Sequence, residues 1–251
     1  MAYTIAIAGK GGTGKTTVAS LVLAYLLDTD RVPILAVDAD PNANFNEWLG
    51  VDAPRTLGDI QADMMKTRSD MPAAMDKRRH LELQLQMALV EESGYDLLAM
   101  GRSEGPGCYC HLNDVLRAFI DELTPNYPYV VMDNEAGMEH LSRRTTRNVD
   151  LLLIVSDQNP VAIRSATRIN ELKDALEINV DETYLLLNRI DGEIPEPVRR
   201  EVERTGLQLA GTIPSDSELM EFNINGKSLL DLPADSPAPV AIGKVLDEIL
   251  T

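Results

Sequence analysis

The stretch from Gly9 to Thr16 carries the residue types best suited to chemistry, and it follows the pattern G-x-x-x-x-G-K-[ST]. Its glycines let backbone N–H groups converge on phosphate oxygens, and a following helix would add the partial positive charge of its N-terminus. Lys15 is expected to reach the terminal phosphates and Thr16 to ligate Mg²⁺. The residues predicted to contact the nucleotide are Gly11, Gly12, Thr13, Gly14, Lys15, Thr16 and Thr17.

Acidic residues follow two apolar runs that read as strands. Asp38 and Asp40 follow the second run, and Asp133 closes a later one. Because parallel strands end at one edge of a sheet, these carboxylates are expected beside the phosphate loop. Asp133 is predicted to hold Mg²⁺ through its water shell, since this ion dehydrates reluctantly. Asp38 either supports this site through a neighbour or only forms a turn.

The two cysteines of the chain are Cys108 and Cys110. Two thiols one residue apart can chelate a soft or borderline metal but cannot complete a tetrahedron. Two chains meeting across a twofold axis would supply four thiolates, which suit Zn²⁺ and can also hold Ni²⁺. The alternative is a pair of ordinary reduced thiols. The neighbouring His111 is not expected to be a ligand.

Apolar runs alternate with helical stripes, a pattern that predicts an α/β fold with a doubly wound, mostly parallel sheet in one domain over residues 1–251. From Val18 to Tyr25 and from Ile242 to Ile249, apolar residues recur every three or four positions, as on one face of a helix. Residues 57–93 are predicted to form a Met-rich, mainly helical segment between two strands. A further helix is expected from Leu112 to Leu123. The seven strand candidates are Tyr3 to Ala8, Val32 to Val37, Tyr95 to Met100, Tyr129 to Met132, Leu151 to Val155, Thr183 to Leu187 and Leu207 to Ile213.

The chain is strongly acidic, with 23 Lys and Arg against 40 Asp and Glu and a net charge of −17. This balance argues against nucleic acid or an anionic membrane as a partner through a broad basic face. The first residues lack a basic segment followed by a long apolar run, so we expect a cytoplasmic protein.

Lys10 within the loop makes the sequence resemble the deviant Walker A ATPases, whose K-G-G-x-G-K-T pattern is matched from Lys10 to Thr16. The resemblance implies an ATP-driven homodimer in which Lys10 reaches the nucleotide of the partner subunit. It also assigns Asp40 to orienting the attacking water. Asn188 and Arg189 would contact the base, flanked by Pro214, although the Asn188 to Asp191 segment also resembles the guanine-reading sequence of GTPases.

The cysteine pair narrows this resemblance to the CooC-type carbon monoxide dehydrogenase accessory ATPases. Besides Cys108-Tyr109-Cys110, the segment from Asp133 to His140 matches that family. The resemblance implies a client, carbon monoxide dehydrogenase, whose nickel site is completed with ATP and with metal (Ni²⁺ or Zn²⁺) at the shared cysteines. Glu139 and His140 are open candidates for coupling the nucleotide to the metal.

Other functional classes share the same loop. Partitioning and division-site ATPases need a basic face or basic terminal helix, which this acidic chain does not favour. Nitrogenase-type reductases use cysteines from two segments, whereas only one segment here carries them. Nickel-insertion GTPases lack a lysine at the position of Lys10. An ATPase for acetyl-CoA synthase maturation stays open.

Overall fold

The computed structural model describes residues 2–40, 42, 44–52, 55–66, 83–101, 119–135, 148–176 and 178–250. Its centre is an eight-stranded sheet in the order β3-β4-β2-β5-β1-β6-β7-β8. All the strand pairs are parallel except the pair of β3 with β4. The strands are β1 Tyr3–Gly9, β2 Ile34–Asp38, β3 Val90–Glu92, β4 Tyr95–Ala99, β5 Tyr129–Asp133, β6 Asn148–Ser156, β7 Asn179–Asn188 and β8 Gln208–Ile213.

The prediction of a doubly wound, mostly parallel sheet is confirmed, and the sheet has eight strands where about seven were expected. The additional strand is β3, which lies inside the segment predicted to be helical. It has only three residues, two of them glutamates, and it pairs antiparallel at the sheet edge. An edge strand of this kind buries little apolar surface, so it leaves no hydrophobic pattern in the sequence.

Seven α-helices whose bounds both fall in the described ranges cover the sheet. They are α1 Lys15–Asp28, α2 Phe45–Leu49, α3 Leu57–Lys66, α4 Pro160–Ala175, α5 Glu196–Thr205, α6 Ser217–Ile224 and α7 Pro237–Ile249. Both predicted helical stripes fall inside α1 and α7. Only the end of the predicted helix from Leu112 to Leu123 is described, and residues 119–123 are helical.

The core forms two layers, one on each face of the sheet. On one face α1, α2 and α7 pack against alternate strand residues such as Ile5, Ile7 and Val131. On the other, α3, α4 and α5 pack against the residues between them, such as Ala6 and Met132. Burial on both faces explains why the strands read as continuous apolar runs, and it fixes which strand ends meet at the loop after β1. Within the described ranges, no helix is both long and apolar enough to span a membrane.

Candidate nucleotide site

The phosphate loop leaves β1 at Gly9 and enters α1 at Lys15, in the strand–loop–helix order that the motif requires. A Cβ at Gly9 would lie 2.3 Å from the carbonyl oxygen of Val155 on β6, so only glycine fits there. Gly14 caps α1 in the left-handed region, with φ at 94°. No side chain caps α1 by accepting from its first-turn N–H groups, which leaves the helix N-terminus available to an anion.

The two lysines of the loop differ in environment. Lys15 is 9% exposed and lies near Asp133, whereas Lys10 is exposed. The Lys10 carbonyl closes the loop by accepting bonds from the N–H and the hydroxyl of Thr13, at 3.3 and 2.8 Å. Among the described residues, the Lys10 ammonium forms no hydrogen bond or ion pair, so its charge is available to an external group.

Asp133, at the end of β5, is 1% exposed, and neither carboxylate oxygen accepts a hydrogen bond of normal geometry within the described chain. The pKa of Asp133 is raised to about 7, mainly by burial and also by the charge of Asp38, while Thr16 and Lys15 only partly oppose the change. A buried carboxylate without a hydrogen-bond partner is unfavourable unless a cation or a water meets it. Its position beside Thr16 fits a Mg²⁺ ion held through water.

Asp38 is tied to the backbone of the loop that follows β2. Its two oxygens accept bonds from the N–H groups of Asp40 and Phe45, at 3.0 and 2.8 Å. Burial raises the pKa of Asp38 to about 6, and these two bonds work in the opposite direction. The two predicted alternatives are both met, because this carboxylate orders the turn between β2 and α2 and through that turn holds the backbone of Asp40.

Asp40 lies two residues after the end of β2 and is partly exposed. One of its oxygens accepts bonds from the backbone and side-chain nitrogens of Asn42, at 2.8 and 3.0 Å. Its charge contributes to the raised pKa of Asp133, which places the two carboxylates at the same edge of the sheet. Asp40 therefore lies close to the end of β5, at the edge of the sheet where the phosphate loop begins.

Asn134 is a buried residue of this edge that the sequence analysis did not single out. Its amide nitrogen donates to the carbonyl oxygens of Ile7 and Met132, at 3.0 and 3.3 Å. The side chain thereby ties the end of β5 to β1, while its oxygen has no partner among the residues that the structure describes. The available signal was a polar residue directly after the strand-ending Asp133.

The residues predicted to meet the base lie at the ends of β7 and β8. The amide of Asn188 is bonded to the phosphate loop, and Arg189 follows it with φ at 60°. Asp191 accepts bonds from the N–H and hydroxyl of Ser215, at 2.8 and 3.0 Å, which fixes the loop containing Pro214. These contacts bring the predicted base segments together at the loop.

Asp216, which continues that loop, connects two helices. One of its oxygens caps α6 by accepting from Glu218 and Leu219, and the other accepts from the Ala238 N–H of α7 at 2.9 Å. The capping of α6 could be predicted from the sequence, because an acidic residue directly before a helix is a common N-cap. The bond to α7 spans 22 residues and had no sequence signal.

Cys108, Cys110, His111, Glu139 and His140 lie outside the described residues. The described parts of the chain contain no group of three or more His, Cys, Asp or Glu residues that could hold a metal ion. The predicted cysteine site therefore stays a prediction.

The fold and the loop geometry define a P-loop nucleotide-binding protein. Residues 4–229 match the family described as the CobQ/CobB/MinD/ParA nucleotide binding domain, and the chain belongs to this family of P-loop ATPases. It is 39% identical to an uncharacterized ATP-binding protein of Methanocaldococcus jannaschii over 248 residues, covering 98% of each chain. It is also 31% identical to the carbon monoxide dehydrogenase accessory protein CooC of Rhodospirillum rubrum, covering 93% of this chain and 90% of the relative.

A solved structure of similar fold is the cell division ATPase MinD of Pyrococcus furiosus. It superposes with a TM-score of 0.71 at 22% identity, covering 100% of this chain and 99% of the other. At this identity the likeness concerns the fold alone. The class of enzyme therefore comes from the family, and the specific task has to be argued from the residues of this chain.

Proposed function

We propose that this chain, as one P-loop domain over residues 1–251, binds and hydrolyses Mg·ATP. The observation that carries the proposal is Asp133, which is buried with two unpartnered oxygens next to Thr16. Such a carboxylate is unfavourable in the empty site and becomes favourable once a cation lies between it and the phosphates. Thr16 and Asp133 would hold the hydrated Mg²⁺, which would neutralise charge on the β- and γ-phosphates.

The chain's own residues then have separate tasks in hydrolysis. The loop N–H groups and Lys15 bind the phosphate oxygens, and Asp40 orients the attacking water in line with the γ-phosphate. Asp38 fixes the backbone that carries Asp40, through its bond to the Asp40 N–H. Asn188, Arg189 and Pro214 surround the base.

Lys10 supports the second element of the proposal, a homodimer. Its ammonium is exposed beside the phosphate loop and is unpaired among the described residues. A cation brought by a second chain to the γ-phosphate would stabilise the charge of the transition state, as arginine fingers do. Dimerisation would thus depend on ATP, and hydrolysis would weaken it by removing the γ-phosphate contacts.

The third element is the client. The 31% identity to a carbon monoxide dehydrogenase accessory protein over nine-tenths of both chains, together with Cys108 and Cys110, favours a role in nickel insertion into that enzyme. In the ATP-bound dimer, two cysteine pairs would form one four-thiolate site for Ni²⁺ or Zn²⁺. The partners are then a second copy and the client enzyme in the cytoplasm, without nucleic acid or membrane.

Metal stoichiometry tests this function. Purified protein should bind one Ni²⁺ or Zn²⁺ per dimer in the presence of a non-hydrolysable ATP analogue, as measured by elemental analysis and sedimentation. The Cys108→Ser/Cys110→Ser double variant should lose this metal and keep ATP hydrolysis. Unchanged tight metal binding by the variant would reject the thiolate site.

A second measurement concerns the client and separates this proposal from the related classes. Nickel-dependent activation of carbon monoxide dehydrogenase should increase with the wild-type chain and ATP, but not with the double variant. Activation of acetyl-CoA synthase alone would reassign the client. Tight binding to anionic vesicles instead would favour the division-site class, to which the 24% identical MinD of Bacillus subtilis belongs by name.

A further inference from the structure

The end of β7 is bonded directly to the phosphate loop, 175 residues away in the sequence. The side-chain nitrogen of Asn188 donates to the carbonyl oxygen of Thr13 at 2.9 Å, and Asn188 is 5% exposed. The guanidinium of Arg189 donates to the carbonyl oxygen of Gly12 at 3.4 Å. Two consecutive carbonyls of the loop are therefore held from the same strand end.

The contact between Asn188 and the loop leaves no spare room. A Cβ at Gly14 would lie 2.2 Å from the Asn188 side-chain nitrogen, so the amide occupies the space that a side chain at Gly14 would need. Both residues are thereby matched to each other in shape. The amide packs on the loop as well as bonding to it.

The surroundings fix the orientation of the Asn188 amide. Its nitrogen meets a carbonyl oxygen, and its oxygen accepts a bond from the Arg189 N–H at 3.0 Å. A flipped amide would place oxygen against oxygen and nitrogen against N–H, so the assignment is unambiguous. Arg189 is held in the left-handed region, with φ at 60°, a conformation that L residues adopt only where their surroundings impose it.

We propose that Asn188, assisted by Arg189, is a positioning residue for the triphosphate. In a planar trans peptide the C=O and the N–H point in opposite directions. Holding the Thr13 carbonyl toward β7 therefore directs the Gly14 N–H away from β7, at the cap of α1 where phosphates bind. Asn188 acts on phosphate binding through the loop, whether or not its amide also meets a base.

This inference rests on the proposed nucleotide site, and a ligand without a base tests it separately. Binding of Mg·ATP and of magnesium tripolyphosphate is measured by calorimetry for the wild type and for Asn188→Ala. The variant should bind tripolyphosphate about tenfold more weakly, the effect of one lost buried hydrogen bond. Unchanged tripolyphosphate binding with weakened ATP binding would overturn the proposal and leave Asn188 as a base contact alone.

Asp191→Asn is the matched control, because Asp191 fixes the Ser215 loop at the same edge without bonding to Gly12 or Thr13. This variant should bind ATP more weakly and bind tripolyphosphate as tightly as the wild type. Equal losses for both ligands would mean that general loosening of this edge explains the result, and would also overturn the proposal.

Arg189→Gly keeps the test informative if Asn188→Ala unfolds. Glycine adopts the same positive φ, so the change removes the guanidinium without adding backbone strain. Tripolyphosphate affinity should fall by about threefold, since this bond is long and exposed; no loss would exclude Arg189. A wild-type chain that binds neither ligand would instead reject the proposed nucleotide site.

Discussion

Asp38 and Asp133 are register partners on the neighbouring strands β2 and β5, and both are 1% exposed. Their carboxyl groups thus share one buried edge of the sheet, and the charge of Asp38 raises the pKa of Asp133. Asp38 is satisfied by two backbone N–H groups, whereas Asp133 has no such partner in the described part of the chain. The fold therefore separates a carboxylate that orders a loop from one left for an external cation.

The pH dependence of stability should reveal the unpartnered carboxylate. The folded pKa of Asp133, about 7, lies above the ordinary value near 3.9. Between these values the folded chain binds a proton that the unfolded chain releases, so the free energy of unfolding of the nucleotide-free protein should fall as pH rises from 4 to 7. Asp133→Asn should remove this contribution and stabilise the protein at pH 8 by up to about 4 kcal/mol. Urea denaturation at pH 5 and 8 measures it.

The same variant should lose Mg²⁺ dependence in nucleotide binding. Mg²⁺ should strengthen ADP binding to the wild type and have little effect on Asp133→Asn, by calorimetry. Identical pH dependence of stability in both proteins, or an undiminished Mg²⁺ effect in the variant, would contradict the assignment of Asp133.

Asp38→Asn should slow ATP hydrolysis by about tenfold or more, because Asp40 would no longer be held in place to orient the attacking water. An amide offers one acceptor oxygen where the carboxylate bonds both Asp40 and Phe45. The melting temperature should change little, because losing one hydrogen bond, about 1 kcal/mol, is offset by removing a buried charge. Steady-state hydrolysis and thermal unfolding measure the two effects.

Asp150→Asn is the comparison for Asp38, because Asp150 also accepts a backbone N–H, that of Thr4 at 2.7 Å, but at the opposite end of β1. It should leave the hydrolysis rate unchanged. A normal rate in Asp38→Asn would show that the loop after β2 does not need this anchor.

Lys10→Ala should abolish ATP-dependent dimerisation while leaving the fold intact, since the Lys10 side chain is exposed. ATP hydrolysis should fall by at least about 10³-fold if the ammonium stabilises the transition state of the partner subunit. Analytical ultracentrifugation with a non-hydrolysable analogue and a rate assay provide the readouts.

Lys244→Ala, on the exposed side of α7, is the charge-matched comparison for Lys10 and should behave as wild type. Normal dimerisation and hydrolysis by Lys10→Ala would refute a role for Lys10 across the interface.

Gly14→Ala should destabilise the protein and prevent nucleotide binding. Its Cβ would collide with Asn188, and its φ of 94° is unfavourable for alanine. The expected loss is more than about 2 kcal/mol from strain and overpacking. Gly11→Ala is the paired change, because a Cβ at Gly11 meets nothing within 4 Å and should alter stability by less than about 0.5 kcal/mol. Equal stability of the two variants by chemical denaturation would argue against the packing of Asn188 on the loop.

Long apolar strands and the loop between β1 and α1 were predictable because their signals are local. The strands other than β3 left apolar runs, most continuous in the buried central strands such as β1 and β2, and spacing within Gly9 to Thr16 suffices to shape the loop. The edge strand β3 was not predicted, because it is short and polar. The sequence also predicted that Asp133 ends a strand beside the phosphate loop.

By itself, the sequence determined the class of fold, the phosphate loop and the residue types of the site. Only the tertiary structure decided which of the two acids is left unpartnered, and that the Asn188 amide bonds to Thr13. Both outcomes depend on which strand ends become neighbours and on which backbone groups then compete for each side chain. Such pairings join positions far apart in the chain, so no local pattern of residues encodes them.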